Sequence, residues 1–172
     1  MIPDFDNFGN IPPGIYCPDL AEFKDRFVVD FPSSVTRPSL YTDFVNFSMM
    51  VASFKVADIQ WVAGSYTSSK VDPDDVDLVI HFNAEEFKSR DETMNFAMTT
   101  DPDQVKNIYN CHLFLIPMYP LASPKHAQGI NMSAYWRKWF EKDRADRPRG
   151  LIEFNLSSDT HVEVLAEEGN LQ

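Results

Sequence analysis

The strongest constraint on the fold is a run of 20 residues with helical periodicity, SLYTDFVNFSMMVASFKVAD, which leads directly into segments with the composition of β-strands. Apolar side chains recur in this run at intervals of three and four, the stripe of a helix that packs on a sheet. They are Leu40, Phe44, Phe47, Val51 and Phe54. Residues 59–64 and 76–82 follow and are rich in β-branched and aromatic side chains, so we predict two strands there. The chain therefore combines a helix with a sheet.

The segment before this helix is predicted to be mostly irregular. Residues 1–18 contain four prolines and two glycines, a density that prevents a regular helix and favours an extended N-terminal arm laid over the domain. Asp19 and Glu22 then have the spacing of a helix capping box, and apolar residues follow at helical intervals up to Phe27. We therefore predict an extended arm and then a short helix.

After the second strand, helical and strand patterns alternate. Residues 84–110 are polar and helix-prone, with a break at Asp101-Pro102. Further on we predict a strand, a helix and two more strands. Their ranges are 111–120, 133–143, 151–156 and 161–166, in that order. This order is typical of α+β or α/β folds with one mixed sheet flanked by helices, and we expect the α+β form.

Length and charge limit the classes of protein to consider. At 172 residues the chain suits one domain with a single core, so we treat residues 1–172 as one domain. Its net charge of −11 argues against a broad surface for duplex nucleic acid, because phosphates would meet net repulsion. The first 20 residues contain no Lys, no Arg and no apolar signal-peptide segment, and no apolar run reaches 18 residues. We therefore expect a cytoplasmic protein with no membrane partner.

The most informative stretch is AGSYTSSKVDPDDVDLVIHF. Gly64-Ser65 ends a predicted strand, where a residue without a Cβ lets backbone N–H groups approach a phosphate, and the Ser hydroxyl can donate as well. Asp75 and Asp77 alternate along the next strand, so both carboxylates project from one face, about 6–7 Å apart. Such a pair can share a metal ion, and hard oxygen ligands beside a phosphate point to Mg²⁺ or Mn²⁺.

These residues resemble the GS…DxD signature of the nucleotidyltransferase superfamily, whose polymerase-β-like core has a helix followed by two strands that carry the motifs. Three longer stretches, IPDFDNFGNIPPGIY, GSYTSSKVDPDDVDLV and DRADRPRGLIEFNL, are similar to a small family of nucleotidyltransferase-like proteins. The resemblance implies a nucleotidyltransferase-like mixed sheet. It also implies that Gly64 and Ser65 hold a nucleoside triphosphate, while Asp75 and Asp77 bind the Mg²⁺ that bridges it.

The chain departs from this signature at the third carboxylate. Members of the superfamily usually carry that acid on a later strand, where it helps the metal pair and can act as a base toward the attacking hydroxyl. The expected strand, NCHLFLIPM, contains no acid. His112 lies close to the expected position, and Glu153, in the predicted strand 151–156, is the other candidate catalytic residue. If neither faces Asp75 and Asp77, we expect nucleotide binding without transfer.

A basic stretch near the end of the chain is a second candidate phosphate site. Residues 137–149 hold six basic residues against three acidic ones, and Arg is suited to bidentate phosphate recognition. The candidates are Arg144, Arg147 and Arg149, together with Lys70 in the loop after Gly64-Ser65. The alternative is an ordinary cationic helix end, with Trp136 and Trp139 in the core rather than as stacking platforms.

Two functions from different classes are consistent with these residues. The first is a Mg²⁺- or Mn²⁺-dependent nucleotidyltransferase that moves a nucleoside monophosphate from an NTP to an acceptor, which the sequence leaves open between a protein side chain, an RNA end and a small molecule. The second is a catalytically degenerate scaffold that binds a nucleotide or a protein, such as one half of a toxin–antitoxin or phage-defence pair. The missing third carboxylate and the acidic surface favour the second.

Overall fold

The computed structural model describes residues 1–157, which form a five-stranded mixed β-sheet with helices on both faces. The strands are β1 (Ile15–Tyr16), β2 (Ala57–Ala63), β3 (Val76–Asn83), β4 (Cys111–Met118) and β5 (Leu151–Asn155). They lie in the order β1-β5-β2-β3-β4. Strand β2 is antiparallel to its neighbours β5 and β3, whereas β1 is parallel to β5 and β4 is parallel to β3. The predicted α+β class with one mixed sheet is confirmed.

Five α-helices lie in the part of the chain that the structure describes. They are α1 (Leu20–Lys24), which continues as a π-helical segment (Asp25–Val29), then α2 (Arg37–Ser53), α3 (Arg90–Thr99), α4 (Pro102–Tyr109) and α5 (His126–Phe140). The Asp19 carboxylate caps α1 by accepting from the backbone N–H of Glu22 at 2.7 Å. The break between α3 and α4 follows from Pro102 at the first turn of α4 and from the Asp101 cap before it.

Alternate residues of each strand face opposite sides of the sheet, and a separate apolar cluster covers each side. On one side, the α2 face, Leu78 and Phe154 pack against aromatic side chains of α1 and α2 such as Phe23 and Phe44. On the other side, the α5 face, strand residues such as Val79 pack against α5. The odd-numbered residues of β3 belong to the α5 face, which places Asp77 there.

The N-terminal arm has no helix before residue 19, as predicted, and it is tied to two parts of the domain. Its carbonyl at Gly9 accepts from the backbone N–H of Ser69 at 2.8 Å, and its carbonyl at Gly14 accepts from Leu151 at 2.9 Å. The arm therefore joins the loop after β2 to the start of β5.

Two sequence predictions need correction or extension. Helix α5 begins at His126 rather than at residue 133, because its first two turns lack the apolar stripe that the prediction followed. Strand β1 was not predicted, since two residues carry no periodicity and its partner, β5, is distant in sequence. The predicted strand at 161–166 lies outside the described residues.

Across residues 1–157, every helix falls short of the length and apolar content that a membrane crossing needs.

Candidate functional site

A cleft of about 1560 Å³ opens on the α5 face, where β2 ends and β3 begins. Its walls come from the N-terminal arm, the loop after β2, the start of β3, the end of α5 and the chain between α5 and β5. Eight of the nine site residues proposed from the sequence line it, and Glu153 does not. The eight are Gly64, Ser65, Lys70, Asp75, Asp77, Arg144, Arg147 and Arg149. The fold thus gathers two motifs that are far apart in sequence into one cleft.

Gly64 and Asp77 form the floor of the cleft. Strand β2 ends at Ala63, which pairs directly with Asp77 of β3, and the chain then turns at Gly64 with a φ of +78°. This left-handed conformation favours glycine, and a Cβ on Gly64 would overlap the Asp77 carboxylate. Glycine is therefore required at position 64 for both the turn and the close approach of the acid.

The Asp77 carboxylate is largely enclosed. One of its oxygens lies 3.2 Å from Nδ1 of His112, and its side chain is 21% exposed. Burial raises the pKa of Asp77, and the charge of Asp75 raises it further, while His112 and Arg149 oppose the shift. The fold thus holds Asp77 where its negative charge is poorly compensated by the protein.

Asp75 lies just before β3 and has a different partner. Its carboxylate forms an ion pair with Nζ of Lys106 on α4. The side chains of Asp75 and Lys106 are 24% and 44% exposed, so solvent reaches both partners. A ligand that competes for the Asp75 carboxylate therefore needs to displace only a surface ammonium group.

The register of the sheet separates the two candidates for the third group. His112 of β4 pairs directly with Asp77 of β3 and lines the cleft. Glu153 of β5 instead pairs with Trp61 of β2, and its carboxylate accepts from the indole Nε1–H at 2.8 Å. The structure therefore brings His112, and not Glu153, to the side of Asp77.

The basic residues of the cleft have three kinds of environment. Arg149 donates to the carbonyls of Phe140 and Gly64 at 2.8 and 3.1 Å, which ties the end of α5 to the glycine turn. Burial lowers the pKa of Arg149. Lys70 and Arg147 are held by neighbouring carboxylates, Asp74 at 2.7 Å and Asp143 at 2.6 Å, respectively. Of the four basic residues predicted to bind phosphate, Arg144 alone has no side-chain hydrogen bond or ion pair within residues 1–157.

Aromatic side chains of α5 line the outer wall of the cleft. Trp136 packs on the sheet, with its ring 4.5 Å from that of Phe114, as its core assignment predicts. Trp139 does not, because 63% of it is exposed, and Tyr135 is 60% exposed. The prediction that these tryptophans pack in the core is therefore confirmed for Trp136 and wrong for Trp139.

Acidic and imidazole side chains do not build a complete metal cage in the described chain. Within residues 1–157, no three His, Cys, Asp or Glu side chains are grouped so as to hold a metal ion. Asp75 and Asp77 supply two acidic groups at the edge of the sheet.

The model of a family of unknown function, DUF6932, matches residues 3–155. The chain belongs to the DUF6932 family. No curated protein and no solved structure matches it. The matched range of DUF6932 spans every residue that lines the cleft, from Phe8 to Arg149.

Arg37 supports the cleft from the core, and sequence reasoning missed it. It is fully buried, and its guanidinium lies 3.8 Å from the centre of the Phe31 ring. It donates to five backbone carbonyls, those of Phe27, Tyr66, Ser68, Lys70 and Val71. Burial lowers the pKa of Arg37 to about 10. Four of the five carbonyls belong to the loop after Gly64-Ser65, so Arg37 fixes the shape of that loop.

The N-terminal arm also lines the cleft, and no local sequence pattern predicted this contact. Nδ2 of Asn10 donates to the Asp143 carboxylate at 3.0 Å, and the backbone and side chain of Arg147 donate to the same acid. These hydrogen bonds, with that of Asn10 first, lower the pKa of Asp143. The arm thereby joins the chain between α5 and β5 (residues 141–149, the basic turn) to the loop after β2, which it contacts through the Gly9 carbonyl.

Proposed function

We propose that this protein is a nucleotidyltransferase-like enzyme that binds a nucleoside triphosphate and Mg²⁺ or Mn²⁺ in the cleft. The observation that carries the proposal is the enclosed Asp77 carboxylate, which stands directly over the glycine turn at Gly64. A glycine turn at the end of a strand lets backbone N–H groups approach a phosphate, and a carboxylate beside that turn can bind a divalent cation held by the same phosphate. The resemblance to the GS…DxD signature rests on the same residues and supports a polymerase-β-like arrangement.

The donor set fits Mg²⁺ bound together with a substrate. Mg²⁺ usually takes one or two carboxylates and completes its shell with phosphate oxygens and waters. Asp75 and Asp77 supply the carboxylates, and the raised pKa of Asp77 marks a charge that a cation would compensate. When bound, the cation neutralises charge on the phosphates and the leaving group.

The protein side chains would orient the triphosphate. Ser65 offers its hydroxyl and backbone N–H at the glycine turn, while Lys70 provides a cation in the loop beside it. Transfer forms a bond between the acceptor oxygen and the α-phosphorus and breaks the bond from the α-phosphorus to the bridging oxygen. Pyrophosphate leaves with that electron pair, and we assign the hydroxyl proton to His112, which stands beside Asp77 in the cleft. The chain contributes chiefly positioning and electrostatic stabilisation.

A second function is favoured by one observation. Asp75 is already paired with Lys106, and His112 rather than an acid stands beside Asp77. A site of this kind could hold a nucleotide without transferring it, as expected of a binding module in a toxin–antitoxin or phage-defence pair. In both cases we propose a cytoplasmic protein, since nucleoside triphosphates and Mg²⁺ are abundant there.

A labelling experiment with an independent binding measurement separates the two functions. The protein is incubated with each α-labelled NTP, Mg²⁺ or Mn²⁺, and cell lysate as the source of acceptors, while NTP binding is measured by calorimetry. The test variant is Asp75→Asn/Asp77→Asn, and the matched control is Asp91→Asn on α3, outside the cleft. We expect label transfer that falls about 100-fold or more in the double variant and is unchanged in the control.

Binding without transfer by the unaltered protein would favour the second function, and neither binding nor transfer would overturn both. The third group is tested by comparing His112→Ala with Glu153→Gln. We expect transfer to fall only in His112→Ala, because Glu153 is engaged by Trp61 and lies outside the cleft.

A further inference from the structure

The cleft is larger than one small-molecule ligand needs. Its volume is about 1560 Å³, whereas small-molecule sites usually measure about 300–1,000 Å³. The proposed triphosphate site occupies the inner part, around Gly64 and Asp77. The outer part, along α5 and the basic turn, is therefore available to a second occupant.

Two exposed aromatic side chains form the wall of this outer part. Tyr135 and Trp139 are four residues apart on α5, so they lie on one side of the helix, and they are 60% and 63% exposed. The packing of α5 on the sheet is provided by other residues, Trp136 and Phe140. The Tyr135 ring contacts Trp136 edge to face, with ring centres 5.3 Å apart, but more than half of Tyr135 and of Trp139 stays exposed to a ligand.

Two cations without a partner lie beside these aromatic residues. Arg137, Lys142 and Arg147 are each paired with an acid four residues away. By contrast, the side chains of Lys138 and Arg144 line the cleft and make no hydrogen bond or ion pair within residues 1–157. In a chain of net charge −11, Lys138 and Arg144 therefore add positive charge to the cleft wall that carries the two aromatic rings.

We infer that the outer part of the cleft binds the single-stranded end of a nucleic acid. Aromatic rings that stack on bases, with cations that follow the phosphates, are the combination that single strands require. A peptide would need acidic groups to match both cations and would not need stacking faces, and a duplex would meet repulsion from the acidic surface. The further step, that the bound end is the acceptor, rests on the proposed function.

Fluorescence anisotropy with short labelled oligonucleotides tests the inference in the absence of NTP and metal. Single-stranded RNA, single-stranded DNA and duplex DNA are titrated against the full chain. We expect either single strand to bind more tightly than the duplex, and Tyr135→Ala/Trp139→Ala to weaken single-strand binding about tenfold or more. Trp139→Phe, which keeps a stacking face, should retain most of the affinity.

The cations are tested by salt dependence. Lys138→Ala/Arg144→Ala should lower the slope of log affinity against log salt by about 0.7 for each cation removed. The control is Lys88→Ala/Arg90→Ala, which removes two cations outside the cleft and should leave the slope unchanged. Circular dichroism checks that each variant is folded.

The outcomes separate this inference from the proposed function. Single-strand binding that depends on Tyr135 and Trp139 upholds the inference even where no NTP is bound or transferred. No single-strand binding, or equal binding by the aromatic double variant, overturns it while leaving NTP transfer open. A loss of NTP affinity in the aromatic variant without any single-strand binding would also overturn it, because the rings would then hold the base of the NTP. Preference for RNA or for DNA identifies the source of the strand.

Discussion

The two faces of the sheet are built on the same strands, yet only the α2 face is closed. There Phe44 and Phe154 are buried, with ring centres 5.8 Å apart, beneath helices α1 and α2. On the α5 face a single helix covers part of the sheet, and Asp77 and His112 line an open cleft. Stability and candidate chemistry therefore reside in different residues of the same strands, and variants of the two faces should have different effects.

The largest effect on stability is expected on the closed face. Phe44→Ala removes a fully buried ring that lies 5.3 Å from Phe23 and 5.8 Å from Phe154, and the cavity left behind should lower the free energy of unfolding by about 4 kcal/mol. Trp139→Ala, on the open face, should change it by less than about 0.5 kcal/mol. Urea unfolding measures both. Equal losses would show that the open face also supports the fold.

The next effect concerns the part of the α5 face that is sealed. His81 is buried beneath α5, with Nε2 2.9 Å from the Ser133 hydroxyl, and burial lowers its pKa to about 4. Its ordinary value is 6.5, so the unfolded chain binds a proton first as the pH falls. The contribution of neutral His81 to the free energy of unfolding is complete above pH 6.5. As the pH falls from 6.5 to 4, the free energy of unfolding should decrease by about 3 kcal/mol. Urea unfolding across this range checks the slope.

The matched variant for that prediction is His81→Gln, which removes the titrating group and keeps a polar side chain near Ser133. Between pH 6.5 and 4 its loss of stability should be clearly smaller than that of the unaltered protein. A slope that persists in His81→Gln would assign the pH dependence to other groups.

A third effect tests the residue that joins the closed core to the open cleft. Arg37→Met leaves five carbonyls without their shared donor, and we expect a loss of about 2 kcal/mol because the loop can relax toward water. Hydrogen exchange should accelerate in the loop after Gly64 more than in β4. Arg37→Lys should rescue little, since an ammonium group cannot reach carbonyls arranged around a planar guanidinium. Uniform acceleration would indicate a general loss of stability instead.

The parts of the fold that could be predicted from sequence are those with local signals. The apolar stripe located α2, and the proline after Asp101 located the break between α3 and α4. The early turns of α5 gave no such signal, because Gly129 packs against the backbone of β4, where a Cβ would lie 2.8 Å from the Pro117 carbonyl oxygen. That glycine, read locally, argues against a helix.

The residues of the candidate site likewise differ in whether a local sequence pattern could reveal them. Gly64, Asp75 and Asp77 lie close in sequence and could be found from their spacing, whereas Arg37 and Asn10 reach the cleft through contacts that only the assembled sheet and arm create. Sequence could not decide between His112 and Glu153, because the choice depends on the order of the strands in the sheet: β4 pairs with β3, whereas β5 pairs with β2. That order is set by contacts between segments that are far apart in the chain.

The smallest effect, and the one that best distinguishes a functional acid from a structural one, is expected at the floor of the cleft. The pKa of Asp77 is raised above its ordinary value of 3.8, so the fold disfavours its charged form and the penalty grows as the pH rises from about 3.8. Asp77→Asn should therefore stabilise the protein at pH 7 by about 0.5–1 kcal/mol, and this gain should vanish in acid. Asp75→Asn, which breaks a partly exposed ion pair with Lys106, should instead lower stability by less than about 1 kcal/mol.

Thermal unfolding with and without Mg²⁺ and NTP completes the comparison between the two acids. Ligands that bind only the folded state raise the unfolding temperature, and both variants should lose that increase if both acids hold the cation. If Asp77→Asn is as destabilising as Asp75→Asn, the enclosed acid serves the fold rather than a ligand. Suppose that, without ligand, Asp77→Asn stabilises the protein and Asp75→Asn destabilises it, and that both variants lose the ligand-induced increase in unfolding temperature. Asp77 would then be kept for ligand binding at a cost in stability.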